Sequence, residues 1–215
     1  MIIGQSNVLV ENNTIKQNKN GIATDASGTH SGISVVDNSI LSNQENGVYL
    51  YSYSSCYNPD YSYSYSYIYD VNITDNMIYS NQGNGVYLYS YTFSTSYTQY
   101  SGSYSHSYIY DVSMTGNTIS SNQGNGVYLH SYSYSSSSSS TTSQSYIYDI
   151  NITSNTISSN QDGIYLCSEP SARSEYAYSY SSIDHINITS NTISSNRGNG
   201  VYLHSLSYTS YPEHD

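Results

Sequence analysis

Basic residues and long apolar runs are both scarce in this sequence. Of its 215 residues only 4 are Lys or Arg, against 15 Asp or Glu, so the formal net charge is -11 at pH 7. A surface with that charge repels phosphate along most of its length, and nucleic acid is therefore not expected as a partner. No run approaches the roughly 18 apolar residues that cross a bilayer, so no membrane span is expected.

Tryptophan is absent and phenylalanine occurs once, at Phe93, whereas there are 30 tyrosines among many Ser, Asn and Thr. This composition is unlike that of an ordinary cytosolic enzyme. The shortage of basic residues also leaves few sites for trypsin-like proteases, which suits material outside the cell or at its surface. The opening segment has neither the basic region nor the long apolar core of a signal peptide, so the expected extracellular location depends on composition.

A repeated phrase organises the chain. NNTIKQNKNGI returns as DNSILSNQENGVYL, DNMIYSNQGNGVYL, GNTISSNQGNGVYL, SNTISSNQDGIYL and SNTISSNRGNGVYL. Spacings that range from 25 residues (13 to 38) to 41 residues (76 to 117) indicate insertions of variable length around a constant segment. We expect one domain, residues 1–215, with six rungs, each rung being one turn of a coil. The rungs are marked by Asn13, Asn38, Asn76, Asn117, Asn155 and Asn191.

Two strand patterns occur in each copy. VNIT, which begins at Val71, alternates apolar and polar residues, so Val71 and Ile73 are predicted to face inward. In NGVYL the valine and leucine face inward and the tyrosine faces outward. Neither strand can bury its apolar face alone, but copies stacked about 4.8 Å apart form a continuous core. The pattern predicts an all-β coil of parallel rungs.

Asparagine recurs at two positions of every copy. It tolerates left-handed backbone angles, which suits corners, and stacked amides can bond from rung to rung. Two ladders are therefore predicted. The first comprises Asn38, Asn76, Asn117, Asn155 and Asn191, and the second comprises Asn43, Asn81, Asn122, Asn160 and Asn196.

The phrase NTISSNxGNGVYL resembles the right-handed parallel β-helix repeat of pectate-lyase-like, NosD-like and surface-layer proteins, over about half of each copy. The resemblance implies a right-handed parallel β-helix, a solenoid. It does not imply one activity, because proteins with this fold include polysaccharide lyases and hydrolases, adhesins, tail spikes and cell-envelope proteins.

Tyrosine and serine alternate in insertions that make later copies 11 to 16 residues longer than the first (36 and 41 against 25). Alternation predicts strands, and the Ser, Gly and Pro in the middle predict turns. We expect the insertions to pair into a second sheet on one side of the helix, with tyrosine ladders on its surface; a low-complexity loop is the alternative. The expected interaction surface comprises Tyr49, Tyr87, Tyr128, Tyr165, Tyr202, Tyr67, Tyr69, Tyr108, Tyr110, Tyr146 and Tyr148.

Carboxylates recur at one repeat position, as Asp70, Asp111 and Asp149, where the next copy has His185. Like charges stacked roughly 5 Å apart recruit a cation or become partly protonated, which makes these residues weak candidates for calcium ligands. The alternative is a turn on which they accept backbone N–H groups. The clustered carboxylates that polysaccharide cleavage requires are not visible. We assign no catalytic residue and no cofactor, and predict that the chain is not an enzyme.

The two cysteines, Cys56 and Cys167, lie in different repeats and form neither a metal motif nor a disulfide framework. Cys167 shares a repeat position with His130 and His204. This is an attractive donor set for zinc, but about 4.8 Å per rung is wide for one ion, so no metal site is assigned.

Four sequons of the form Asn-x-Thr accept N-glycans if the chain is exported. Asparagine and threonine are also what an exposed strand carries on its outer face. The candidate glycosylation sites are Asn12, Asn72, Asn151 and Asn187.

The expected function is structural: an extracellular protein that stacks end to end with copies of itself into a filament, sheath or surface layer. End rungs expose unpaired backbone groups, and tyrosine ladders offer lateral contacts. The alternative is a carbohydrate-binding adhesin module whose exposed tyrosines stack on sugar rings. A polysaccharide lyase or hydrolase, which would require Asp111 or Asp149 for cleavage, is a more distant alternative, as is an ice-binding protein.

Overall fold

The computed structural model describes residues 1–3, 6–24, 26–98 and 101–211, which is the whole chain except residues 4–5, 25, 99–100 and 212–215.

 The described residues contain 21 β-strands and no helix, and every strand pair is parallel. Successive strands belong to three different sheets, so the chain winds through each sheet in turn. The predicted all-β parallel solenoid is confirmed, with about five turns against the six rungs expected.

The three sheets correspond to three segments of the repeat, and their strands are numbered in chain order. Sheet I begins at NGVYL and contains β1 (Ile2–Ile3), β4 (Ile22–Thr24), β5 (Ala26–Ser27), β8 (Val48–Tyr57), β11 (Val86–Thr95), β14 (Val127–Ser136), β17 (Ile164–Arg173), β20 (Val201–Ser205) and β21 (Tyr208–Ser210). Sheet II ends at INIT and contains β2 (Ser6–Glu11), β6 (Thr29–Val36), β9 (Tyr61–Thr74), β12 (Gly102–Thr115), β15 (Ser140–Thr153) and β18 (Tyr176–Thr189). Sheet III contains the short strands β3 (Thr14–Lys16), β7 (Ser39–Leu41), β10 (Met77–Tyr79), β13 (Thr118–Ser120), β16 (Thr156–Ser158) and β19 (Thr192–Ser194).

The core consists of columns of like residues contributed by all three sheets. Leu88 pairs in register with Leu50 and Leu129, and all three are fully buried. Val71 and Ile73 face inward as predicted. Each such side chain contributes about 1.5–3 kcal/mol through burial, before the entropy of ordering it is subtracted.

The asparagine ladders are present and hold the corners together by hydrogen bonds. Oδ1 of Asn117 accepts bonds from the backbone N–H of Asn76 at 2.9 Å and from its Nδ2 at 3.0 Å. Asn155 accepts the same two bonds from Asn117, both at 2.9 Å. The second ladder follows the same rule, with Nδ2 of Asn81 donating to Asn122 at 2.9 Å. In both ladders each rung donates to the next rung along the chain.

Left-handed backbone angles occur beside the ladder asparagines and not at them. Asp37 (φ 53°) precedes Asn38, and Ser42 (φ 54°) precedes Asn43. The expectation that asparagine occupies the corner because it tolerates positive φ was therefore wrong for the ladder residues. Their amides instead satisfy backbone groups at the turn, as when Nδ2 of Asn38 donates to Val36 O at 2.9 Å.

The insertions form ordered strands that extend one side of the solenoid, as predicted, but they do so by lengthening sheets I and II and not by forming a second sheet. β11 runs outward, β12 returns, and the two strands face each other across a narrow interior. We call this part of the molecule the arm. It consists of the outer parts of the facing strand pairs β8 and β9, β11 and β12, β14 and β15, and β17 and β18. Its outer faces carry the tyrosines, and its interior is filled by serine and threonine, because strict alternation places one residue type on each face.

A seam of buried hydroxyl groups joins the two layers of the arm. Ser107 Oγ lies 2.8 Å from Ser90 Oγ, which lies 2.9 Å from Ser66 Oγ, so the contacts zigzag between sheets II and I as they climb the rungs. Ser131 continues the series with a contact of 2.9 Å to Ser107. These side chains are fully buried, and hydroxyl groups that bond to one another avoid the cost of burying unpaired polar atoms. The hydrogen-bonded hydroxyl groups therefore fill the interior of the arm, as the aliphatic columns fill the core.

Candidate functional site

Tyrosine ladders cover the outer face of sheet I. Tyr87 stacks on Tyr128 with ring centroids 5.0 Å apart and an interplanar angle of 6°. The Tyr49–Tyr87 contact is 5.5 Å and the Tyr165–Tyr202 contact is 4.8 Å, so the column follows the rung spacing. Offset stacking of rings at such distances is favourable. The structure thus places this predicted column, Tyr165 included, in one outward-facing row.

Sheet II carries two further ladders. The rings of Tyr67, Tyr108 and Tyr146 are separated by 5.0 Å at each step. In the neighbouring column each step is 4.9 Å, with interplanar angles of 5° and 4°, and its members are Tyr69, Tyr110 and Tyr148. All the tyrosines that the sequence suggested for an interaction surface therefore lie in outward columns of neighbouring rings, in which Tyr165 meets Tyr128 edge to face at 89°.

Several phenol groups of these ladders resist ionisation. Burial, together with the neighbouring Tyr49 and Tyr51, raises the pKa of Tyr87 to about 12. Burial and the adjacent Tyr148 and Tyr69 raise the pKa of Tyr110 to about 12. The faces are therefore uncharged aromatic surfaces with hydroxyl groups, suited to stacking and hydrogen bonding and not to ionic recognition.

The aspartate column marks a bulge in sheet II. Asp70, Asp111 and Asp149 have φ of 52°, 51° and 54°, and His185 has 51°. The same place is held in the first two rungs by Asn7 (54°) and Gly32 (61°). The bulge adds one residue between an outward tyrosine and the next inward residue, and Gly or Asp is favoured where φ is positive. These residues fit the turn alternative better than calcium binding. Among the described residues of this column there is one possible ion pair, between His185 Nδ1 and Asp149 Oδ1, which are 3.7 Å apart.

The sequon asparagines lie on exposed faces. Asn72, Asn151 and Asn187 occupy one column of sheet II, in which Ser113 stands between Asn72 and Asn151. The threonine of the sequon bonds to its asparagine, with Thr153 Oγ1 2.7 Å from Asn151 Oδ1. Asn12 is exposed at a corner. All four side chains are accessible to modification, and glycosylation itself stays a prediction.

A cluster of four chemically active side chains lies on the outer face of sheet I. His130 (β14), Cys167 (β17) and His204 (β20) follow one another in register, as the repeat predicted. Glu169 lies two residues beyond Cys167, and its carboxylate oxygens are 3.4 Å from His130 Nε2 and 3.3 Å from His204 Nε2. We call these four residues the His-Cys-Glu cluster.

Glu169 was not identified from the sequence. The signal that would have found it is a break in the repeat, because the same position is tyrosine in the three preceding copies. Those residues are Tyr53, Tyr91 and Tyr132.

Burial controls the protonation of this cluster. It lowers the pKa of His130, against the opposing effect of the Glu169 carboxylate. Burial and the adjacent Glu169 together raise the pKa of the Cys167 thiol to about 12. Near neutral pH the thiol is therefore protonated and is not an activated nucleophile, since the thiolate is the reactive form.

Comparison of the chain with protein-family models, curated proteins and solved structures gave no match. The parallel solenoid is established by the strand pairing, whereas membership of the pectate-lyase-like, NosD-like or surface-layer families is not supported by any match. Function must therefore be argued from the surfaces just described. Within the described residues no helix has the length and hydropathy to cross a membrane.

A third asparagine column was not predicted. The backbone N–H of Asn84 donates to Oδ1 of Asn46 at 2.9 Å, and that of Asn125 donates to Oδ1 of Asn84 at 2.7 Å. Here each rung donates to the preceding rung, which is opposite to the first two ladders. Its asparagines belong to the NG dipeptides that precede Val48, Val86 and Val127.

Proposed function

We propose that this chain is a structural protein that assembles with copies of itself by stacking the first rung of one copy on the last described rung of another. The observation that carries the proposal is the open apolar column in that last rung. Val201 and Leu203 are 43% and 50% exposed, whereas Val127 and Leu129, which occupy the same columns two rungs earlier, are fully buried. Covering this surface with a further rung removes apolar area from water.

The ladder chemistry of the two end rungs is complementary. Within the described residues, Oδ1 of Asn13 accepts no hydrogen bond, and the backbone N–H of Asn191 has no acceptor. In every interior step, such an N–H donates to the Oδ1 of the next ladder asparagine. A second copy with Asn13 above Asn191 would extend the first ladder, and Asn18 above Asn196 would extend the second. In this arrangement β20 takes the place beside β4 that β1 (Ile2–Ile3) holds in a single copy, so assembly would displace β1.

Such stacking joins two different surfaces, so it propagates into a filament and does not close into a dimer. Sheets II and III each have six strands, so at about 4.8 Å per strand the rise is about 29 Å per copy. The first rung carries no arm, so each junction would leave a notch between successive arms. The tyrosine ladders on the arms would then provide lateral contacts between filaments, because flat aromatic surfaces pack well against one another.

The test is negative-stain and cryo-electron microscopy of the purified chain over a concentration series, with sedimentation velocity to measure assembly. Fibres with a rise of about 29 Å support the proposal. Ile193→Lys places a charge in an inward column of the last rung and should prevent assembly. Thr192→Lys, on the opposite face of the same strand, should not. Dispersed monomers of the unmodified chain at high concentration, or equal assembly of the two variants, would overturn the proposal.

A second candidate is carbohydrate binding, favoured by a cleft of about 480 Å³ beside the first rungs. Lys19, Asn20 and Thr24 supply polar groups to it, and Tyr49 and Tyr51 supply rings on which a sugar can stack. Glycan-array screening followed by calorimetry tests this idea. Binding that is lost in Tyr51→Ala and kept in Tyr165→Ala, a ladder residue outside the cleft, would support it.

A further inference from the structure

The His-Cys-Glu cluster lies where a small residue interrupts a column of rings. Tyr51 and Tyr89 precede His130 in this column, and Cys167 separates the two histidines. Although its place in the alternation is outward, Cys167 is only 3% exposed. The larger side chains around it therefore cover the thiol, and the space above Cys167 is enclosed by groups that can act as metal ligands.

The two nitrogens of His130 have different surroundings. Nδ1 lies 3.4 Å from the hydroxyl oxygen of Tyr128. Nε2 is buried and, within the described residues, has no partner with hydrogen-bond geometry, although the Glu169 carboxylate is 3.4 Å away. Leaving a buried imidazole nitrogen unpaired is costly. In a metal-binding histidine, one ring nitrogen is usually held by a hydrogen bond and the other points toward the remaining metal ligands.

We propose that His130 Nε2, Cys167 Sγ and a carboxylate oxygen of Glu169 bind one zinc ion, with His204 Nε2 as the fourth ligand. The ligand atoms of the first three residues lie within 4.8 Å of one another. Bonds of about 2.3 Å to sulfur and about 2.0 Å to nitrogen or oxygen place such atoms somewhat closer together, so the three side chains must move slightly toward the ion. His204 lies outside this group of three and must move further to bind.

Glu169 removes the objection that the rungs are too widely spaced. The two histidines are two rungs apart, but the carboxylate contacts Nε2 of each, at 3.4 Å and 3.3 Å, and so marks a centre between them. The charges also match. On binding, Cys167 would lose its proton to solvent, and the thiolate and the carboxylate would then balance the divalent ion beside two neutral imidazoles.

The bound ion would connect β14, β17 and β20, three consecutive strands of sheet I. The thiolate and imidazole donors favour zinc over calcium or magnesium, which prefer oxygen ligands. The site does not require end-to-end stacking, because all four side chains lie on the outer face of sheet I, although His204 belongs to the end strand β20.

The experiment is titration of the full, untagged, metal-free chain with Co²⁺, whose thiolate complexes absorb in the near ultraviolet, followed by displacement with Zn²⁺. We expect one equivalent of Co²⁺ with a thiolate charge-transfer band. Cys167→Ser should abolish the band, and Glu169→Gln should weaken binding at least about 10-fold. Cys56→Ser, which changes the other free cysteine, should leave both unchanged.

Three results would overturn the proposal: no charge-transfer band with the unmodified chain, a band that persists in Cys167→Ser, or equal loss in Cys56→Ser. Circular dichroism of each variant checks that the fold is intact. Because Glu169→Gln retains the thiol and nearly the same shape, its zinc content, measured by mass spectrometry of the metal, gives a second test. A Glu169→Gln protein that binds zinc as tightly as the unmodified chain would exclude Glu169 as a ligand.

Discussion

Replacing one ladder asparagine in the middle of the stack should destabilise the protein far more than replacing one at its end. Asn117 is 1% exposed, and its Oδ1 accepts both bonds that Asn76 donates along the ladder. Its Nδ2 also donates to Ile73 O at 2.7 Å. Asn117→Ala would leave the buried backbone N–H of Asn76 and the carbonyl of Ile73 each short of a partner.

A buried polar group left without its partner costs about 1–3 kcal/mol, so two such groups put the expected loss at about 2–6 kcal/mol. Asn13→Ala is the matched control. It removes the same atoms from an exposed residue whose Oδ1 accepts no bond within the described residues, and should cost less than about 1 kcal/mol.

The assay is urea denaturation of both variants, followed by tyrosine fluorescence and circular dichroism. Coincidence of the two transitions establishes whether one free energy of unfolding can be assigned, which a repeat protein does not guarantee. Hydrogen exchange of the Asn76 amide should accelerate in Asn117→Ala. Equal destabilisation by the two substitutions, or a cost below about 1 kcal/mol for Asn117→Ala, would refute the view that the ladder stabilises the corners.

Three further predictions follow from the same columns. Leu129→Ala, in the fully buried leucine column, should lower the free energy of unfolding by about 2–5 kcal/mol in urea denaturation, because it leaves a cavity. Asp111→Gly should be tolerated at φ 51° whereas Asp111→Val should lower the melting temperature, because a β-branched residue is strained there; equal melting temperatures would contradict the bulge assignment. The raised phenol pKa values mean that, above pH 10, the folded state keeps protons that the unfolded chain has lost. The stability of the fold should therefore be full below pH 10. It should fall as the pH rises from 10 to about 12, the pKa of Tyr87 and Tyr110 in the folded protein. Melting temperatures measured across that pH range, with spectrophotometric titration of the phenols, test the sign.

Much of the fold follows from local alternation and repetition. The inward direction of Val71 and Ile73 required only a period of two, and the ladders of Asn38 and Asn43 required only alignment of the copies. The position of the left-handed residue did not follow, because Asp37 and Asn38 are both residue types that tolerate positive φ. Hydrogen bonding with the next rung decides which of the two residues takes the left-handed angle. That bonding belongs to the tertiary structure and cannot be read from the local sequence.

The arm and the His-Cys-Glu cluster were only partly predictable for a similar reason. Tyrosine and serine alternate in the same way whether an insertion forms a new sheet or lengthens an old one. The outcome depends on whether serine side chains such as Ser90 and Ser107 can satisfy one another between two layers. Glu169 has no counterpart in the other copies, so repeat alignment identified the histidines but not the carboxylate between them.

The hydroxyl seam gives the arm a length that can change in steps. Because the seam requires only that every second residue be small and able to form hydrogen bonds, adding a Tyr-Ser pair to both the outgoing and the returning strand extends it without altering the core register. Adding a single residue would turn tyrosines into the narrow interior and serines onto the surface. Designers could therefore vary the reach of the arm, and what is displayed at its tip, in units of two residues while leaving the rod unchanged.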